Sequence, residues 1–156
     1  MPAETATERQ STRRTLTEEA FFEQLTEATN AATVERVREL IEDLRGLGLI
    51  QKWGAISASL RFPDPLKDRE FTVLVINTAG RFYLGWLVEL EKSGYDKEIA
   101  VRYRDRIMNL TGAKPSGTDA TKETPVQAIL NRKADFLSIV QQFLEELRTV
   151  APNKNA

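Results

Sequence analysis

The sequence predicts an α+β fold: a four-stranded, mainly antiparallel sheet flanked by about four helices, in the order α-α-β-β-β-β-α-α. Three observations carry this expectation. Apolar residues recur every three or four positions through residues 18–47, 96–110 and 126–150, which is the helical period. Between residues 49 and 91 the repeat drops to two, the period of strands. The connections between those strands are short, whereas parallel neighbours need long crossovers.

The first helix starts after Thr17, whose hydroxyl can cap it. Glu18 and Glu19 sit at the positive end of its dipole, and Phe21, Phe22, Leu25 and Ala28 form its apolar stripe up to Asn30. The second helix runs from about Ala32 to Leu47 on Val34, Val37, Ile41 and Leu44, with Gly48 as its C-terminal residue. Leu49–Trp53 and Ser57–Phe62 read as strands around a turn or bulge at Gly54, and Pro63-Asp64-Pro65 breaks the run. Glu70–Asn77 and Arg81–Glu91 are the strongest strands, joined through Thr78-Ala79-Gly80. In the second of these, Phe82, Leu84, Trp86, Val88 and Leu90 share one face. A third helix spans about Asp96–Leu110, with Ile99, Tyr103 and Ile107 inward and Gly112 as its stop. Residues 113–123 read as a mobile loop. Thr124-Pro125 opens one or two helical turns to Leu130, and the last helix reaches Val150 with Leu137, Val140, Leu144 and Leu147 on one side. The expected domain is 16–150, with 1–15 as a disordered arm and 151–156 as a disordered tail.

A chain of 156 residues, 41% of them apolar, can bury a core without covalent staples. It has no cysteine and no histidine. Thiolate nucleophiles, disulfides, imidazole bases and ordinary zinc ligand sets are thereby excluded. The 22 basic and 23 acidic residues nearly cancel, so net charge gives no argument for nucleic-acid binding. The N-terminal stretch lacks the apolar core of a secretory signal, no apolar run approaches bilayer-spanning length, and a cytoplasmic location is the expectation. No glycine-rich phosphate loop is present.

Three constellations could carry chemistry. The first is acidic: Asp64 after Pro63, then Glu89, Glu91 and Lys92 at the end of the strongest strand. The second is basic: Arg102 and Arg106 lie one turn apart on the third helix, with Asn109 following, a stripe able to grip phosphate or nucleic acid. Interleaved Asp96, Glu98 and Asp105 favour reading it instead as a solvated face. The third is Trp53–Ser59, whose small residues could admit a ligand but equally form a glycine bulge. A separate expectation concerns assembly. Leu74, Ile76, Tyr83 and Leu87 are read as a second apolar face, pointing away from the Trp86 row. That face must then be covered by helices on both sides of the sheet or by a second copy, and a homodimer is expected.

Two resemblances follow from these residues. The order helix–strands–helix over about 34–110 resembles nucleases of the PD-(D/E)XK type. That likeness implies magnesium held by Asp64 and Glu91, with Lys92 assisting water. The motif departs from this pattern: Leu90-Glu91-Lys92 has leucine in the acidic place, and Glu89 falls one residue too far from Lys92. Separately, Glu18-Glu19-Ala20-Phe21-Phe22, Trp53-Gly54 and Phe62-Pro63 resemble a group of small bacterial proteins that have no characterised activity. Ala58 stands where that pattern favours glycine. This second likeness implies a fold more than a function. The function expected is a non-enzymatic binding or interaction module that self-associates; the alternatives are a metal-dependent nuclease-like protein and a phosphate or nucleic-acid binder.

Overall fold

In this computed structural model the described residues are 17–63, 70–85, 94–116 and 120–149. They form an α+β fold with a five-stranded antiparallel sheet and five helices. The order is α1 (Glu18–Ala28), α2 (Ala31–Gly46), β1 (Ile50–Trp53), β2 (Ser57–Pro63), β3 (Glu70–Asn77), β4 (Arg81–Tyr83), α3 (Lys97–Thr111), β5 (Thr124–Pro125), α4 (Gln127–Leu130) and α5 (Lys133–Thr149). The strands lie side by side in sequence order, a meander. The expected arm 1–15, the tail 151–156 and the Trp86–Leu90 half of the strongest strand lie outside the described residues.

Local chemistry explains the helix ends. Thr17 Oγ1 accepts from Ala20 N at 3.0 Å, and Asn30 Oδ1 accepts from Thr33 N at 2.8 Å. Each satisfies a backbone donor that the first turn leaves without a partner. Asp96 does the same for Glu98 N. Gly112 closes α3 at φ 79°, where a side chain would strain the backbone.

The fifth strand was not expected. Within residues 113–123, read from sequence as a mobile loop, the described residues are paired: Pro115 bridges Thr121, and Lys122 N donates to Lys114 O at 2.8 Å. Thr121 is buried because it completes the backbone of Leu84. Its N–H donates to Leu84 O and its hydroxyl accepts from Leu84 N, both at 3.0 Å. Thr124-Pro125, read as a cap and first helical residue, instead pairs with Phe82 and Arg81. Proline is tolerated there because β5 is an edge strand. Gly80 turns the β3–β4 hairpin at φ 81°; an added Cβ would sit 2.6 Å from Thr29 Cγ2.

One apolar cluster fills the space between helices and sheet. Directly opposed residues of paired strands share a face. Ala58 opposes Ile76, Leu60 opposes Leu74, Phe62 opposes Phe71 and Ile76 opposes Phe82, and all are buried in the cluster. A bulge keeps this possible. Leu60 pairs with Leu74 but Arg61 with Thr72, so Val73 is an extra residue on β3. The Tyr103 hydroxyl donates to Val73 O at 3.1 Å, and the Tyr103 ring stacks on Phe143 with centroids 4.1 Å apart. Phe21 and Phe22 pack around Trp53 at 5.1 and 6.2 Å.

This register corrects the expected second apolar face. Leu74 and Ile76 share the face of Phe82, not that of Tyr83, and both are fully buried within one chain. Tyr83 opposes Val75 on the other side. The sequence alternates correctly, but the β3–β4 register decides which alternate residues meet, and Leu74 and Ile76 have no surface left for a partner. Leu87 lies outside the described residues.

Candidate ligand-binding face of the sheet

The alternate residues of the same strands build a different surface. Lys52, Ser59, Val75 and Tyr83 stand in direct register across β1–β4. One step along, Ile50 opposes Arg61 and Arg61 opposes Thr72; the other way, Ser57 opposes Asn77. Arg81 shares the face of Tyr83, two residues away. Neither Ser59, Val75 nor Tyr83 belongs to the apolar cluster.

Where β3 begins, Glu70 lies between two cations. Arg61 Nη1 is 3.5 Å from Glu70 Oε1, and Lys52 Nζ is 3.8 Å from Oε2. Arg61 Nε donates to Ser59 Oγ at 3.0 Å, which fixes the plane of the guanidinium. Lys52 keeps 49% of its side chain exposed and Arg61 38%, so water and ions reach both. Ser59 is buried at 8% and forms a polar floor. Tyr83 is pushed above the usual phenol range, first by burial and then by the negative charge of Glu123. It is therefore a neutral hydroxyl donor at ordinary pH. The hairpin end is held by Asn77, whose Oδ1 accepts from Ala79 N and Arg81 N at 3.0 and 3.1 Å.

Chemically, the face offers a primary ammonium, guanidinium groups and hydroxyls around one carboxylate. That set has the chemistry of an anion-binding surface. Among the described residues no three side chains of metal-ligating type converge, and the face pairs no nucleophile with a base.

The other sequence candidates are distributed as follows. Asp64, Glu89, Glu91 and Lys92, with the magnesium site they would form, lie outside the described residues. Arg102 and Arg106 do share one side of α3, but they converge on Glu146 of α5 at 3.3 and 3.5 Å. Their neutralising partner comes from a neighbouring helix, not from the interleaved acids on α3. Asn109 is exposed and contributes nothing to that contact. Gly54 makes a turn, its N–H donating to Ser57 O at 2.7 Å, and leaves Ile56 64% exposed.

Sequence reasoning missed Lys52, Arg61 and Glu70. The signal was present: in Ser57-Ala58-Ser59-Leu60-Arg61-Phe62 every odd position is polar, which marks one wet face. Compared with family models, curated proteins and solved structures, the chain matches none. None of the described helices is long and apolar enough to cross a membrane.

Proposed function

We propose that this chain is a non-enzymatic binding module, and that the polar sheet face takes a ligand through a phosphate or carboxylate group. The observation behind this reading is the Lys52–Glu70–Arg61 cluster. Glu70 acts as a resident anion for two cations that strand register fixes in place. Its contacts, at 3.5 and 3.8 Å, are longer than tight charge-assisted hydrogen bonds of about 2.7–2.9 Å. Partly exposed pairs of this kind contribute at most about 1 kcal/mol. A dianionic phosphate competes with such a partner at little cost, and Ser59 and Thr72, on the same face beside Arg61, add hydroxyls to the position.

Titration calorimetry with inorganic phosphate, citrate and a short single-stranded oligonucleotide tests the reading at low salt. Arg61→Gln and Lys52→Gln should each weaken the preferred anion about five- to tenfold. Glu70→Gln should strengthen it, because the resident competitor is gone. Weaker binding in Glu70→Gln, or no effect of Arg61→Gln, contradicts the proposal. Phosphate, citrate and oligonucleotide separate a free anion site from a backbone-tracking surface, where binding would fall steeply with salt.

A further inference from the structure

On the helical side of the molecule, α1 and α2 enclose a groove of about 630 Å³. Its floor is apolar: Phe22 and Val34 lie at its base, and Ala31 keeps the wall low. Its rim carries Glu18, Glu19 and Glu23 from α1 and Glu35 from α2. From Thr17 to Gly46 the chain has eight carboxylates against three arginines, although the whole chain is almost neutral. This strand-free segment is therefore an acidic part of the molecule.

The groove already shows what it accepts. The Arg38 guanidinium lies over the Phe22 ring, 4.1 Å from its centroid, and reaches Glu18 and Glu35 at 3.6 Å each. An aromatic face flanked by carboxylates is the chemistry that holds a cationic side chain. Arg38 uses two of the four rim glutamates; Glu19 and Glu23 have no ion-pair partner among the described residues. Lys133 answers a neighbouring acidic patch, with Asp43 at 3.0 Å and Glu39 at 3.8 Å, where a second hollow of about 300 Å³ continues past Arg38. The acidic rim thus extends along α2 rather than ending at the groove.

We infer that the α1–α2 groove docks a basic segment of a partner protein, with an arginine or lysine between Glu19 and Glu23, beside the Arg38–Phe22 contact. Charge complementarity selects this occupant: the rim repels an acidic peptide, and the apolar floor residues Phe22 and Val34 are almost fully buried, which leaves little surface for an uncharged apolar one. This surface is separate from the sheet face, so either assignment can fail without the other.

The probe is a synthetic amphipathic peptide with alternating arginine and leucine pairs, titrated into the full chain and followed by amide shifts. An otherwise identical peptide with glutamate for arginine is the control. The inference expects saturable shifts confined to residues 18–38, no binding of the control, and at least tenfold weaker binding in Glu19→Lys/Glu23→Lys. Both positions are exposed, so that variant should stay folded, and its circular dichroism checks this. The milder Glu19→Gln/Glu23→Gln should show an intermediate loss. Shifts on β1–β4 instead, unchanged affinity in both variants, or equal binding of the acidic control overturns the inference. So does self-association of the chain without peptide that is abolished by Arg61→Glu. In that case the groove is filled by the cationic sheet face of a second copy.

Discussion

The two faces of the sheet are made from the same few strands and behave as different materials. On one, Leu60, Leu74, Ile76 and Phe82 have no exposed surface and join a cluster that runs through all the longer helices. On the other, Ser59, Arg61, Thr72 and Tyr83 are polar, Val75 lies buried among them, and Arg61 meets Glu70 where β3 begins. A period of two separates folding from binding within one strand. Substitutions one residue apart should therefore have unlike consequences.

The largest effect is expected on the packed face. Phe82→Ala should cost about 3–5 kcal/mol and Leu74→Ala about 2–5 kcal/mol, because each leaves a cavity under the helices. Thr72→Ala, two residues from Leu74, should stay within about 1 kcal/mol. Denaturant titration of the three variants compares the faces directly. Equal losses in Leu74→Ala and Thr72→Ala would break the distinction.

Next is an alkaline effect tied to the same packed face. Tyr103 is fully buried and held well above the ordinary phenol value by desolvation. Its folded pKa exceeds its unfolded pKa of about 10. The stabilisation is therefore whole below pH 10 and is lost as pH rises toward the folded value. Stability should fall by about 1.4 kcal/mol per pH unit above 10 on this account. Tyr103→Phe should be less stable at pH 7, having lost the hydrogen bond to Val73 O, yet show a shallower decline between pH 10 and 11.5. Parallel slopes would refute the assignment. Tyr83, shifted the same way on the polar face, is only partly buried and should add a smaller share.

Helix caps come third. Asn30→Ala removes the acceptor for Thr33 N and should cost about 1 kcal/mol; Thr17→Ala should cost a similar amount. Thermal unfolding checks both, and Asn30→Asp should recover most of the loss.

Much of the packed face was legible in the sequence. Val34, Val37, Ile41 and Leu44 gave α2, and Ile99, Tyr103 and Ile107 gave α3, because helical periodicity is local. Thr17 announced its cap for the same reason. What was not legible depended on register. Whether Ile76 meets Phe82 or Tyr83 is decided by the hairpin at Gly80, and a shift of one residue exchanges the faces. The extra residue Val73 is likewise invisible until β2 and β3 are paired. The fifth strand is two residues long and includes a proline, below any threshold of pattern. The candidate site suffered most from this. Lys52, Arg61 and Glu70 come from three strands, and only pairing brings them together. Arg102 and Arg106 were legible as a stripe, but their partner Glu146 lies 40 residues or more along the chain.

The smallest stability change and the largest binding change should coincide in one variant, Lys52→Gln/Arg61→Gln. Measured by denaturant unfolding and phosphate-type anion titration on the same preparation, it should keep its stability within about 1 kcal/mol of wild type. Its anion affinity should fall at least tenfold. A folded variant that binds the anion as wild type does, or one that loses several kcal/mol of stability, would contradict the division of this sheet into a folding face and a binding face.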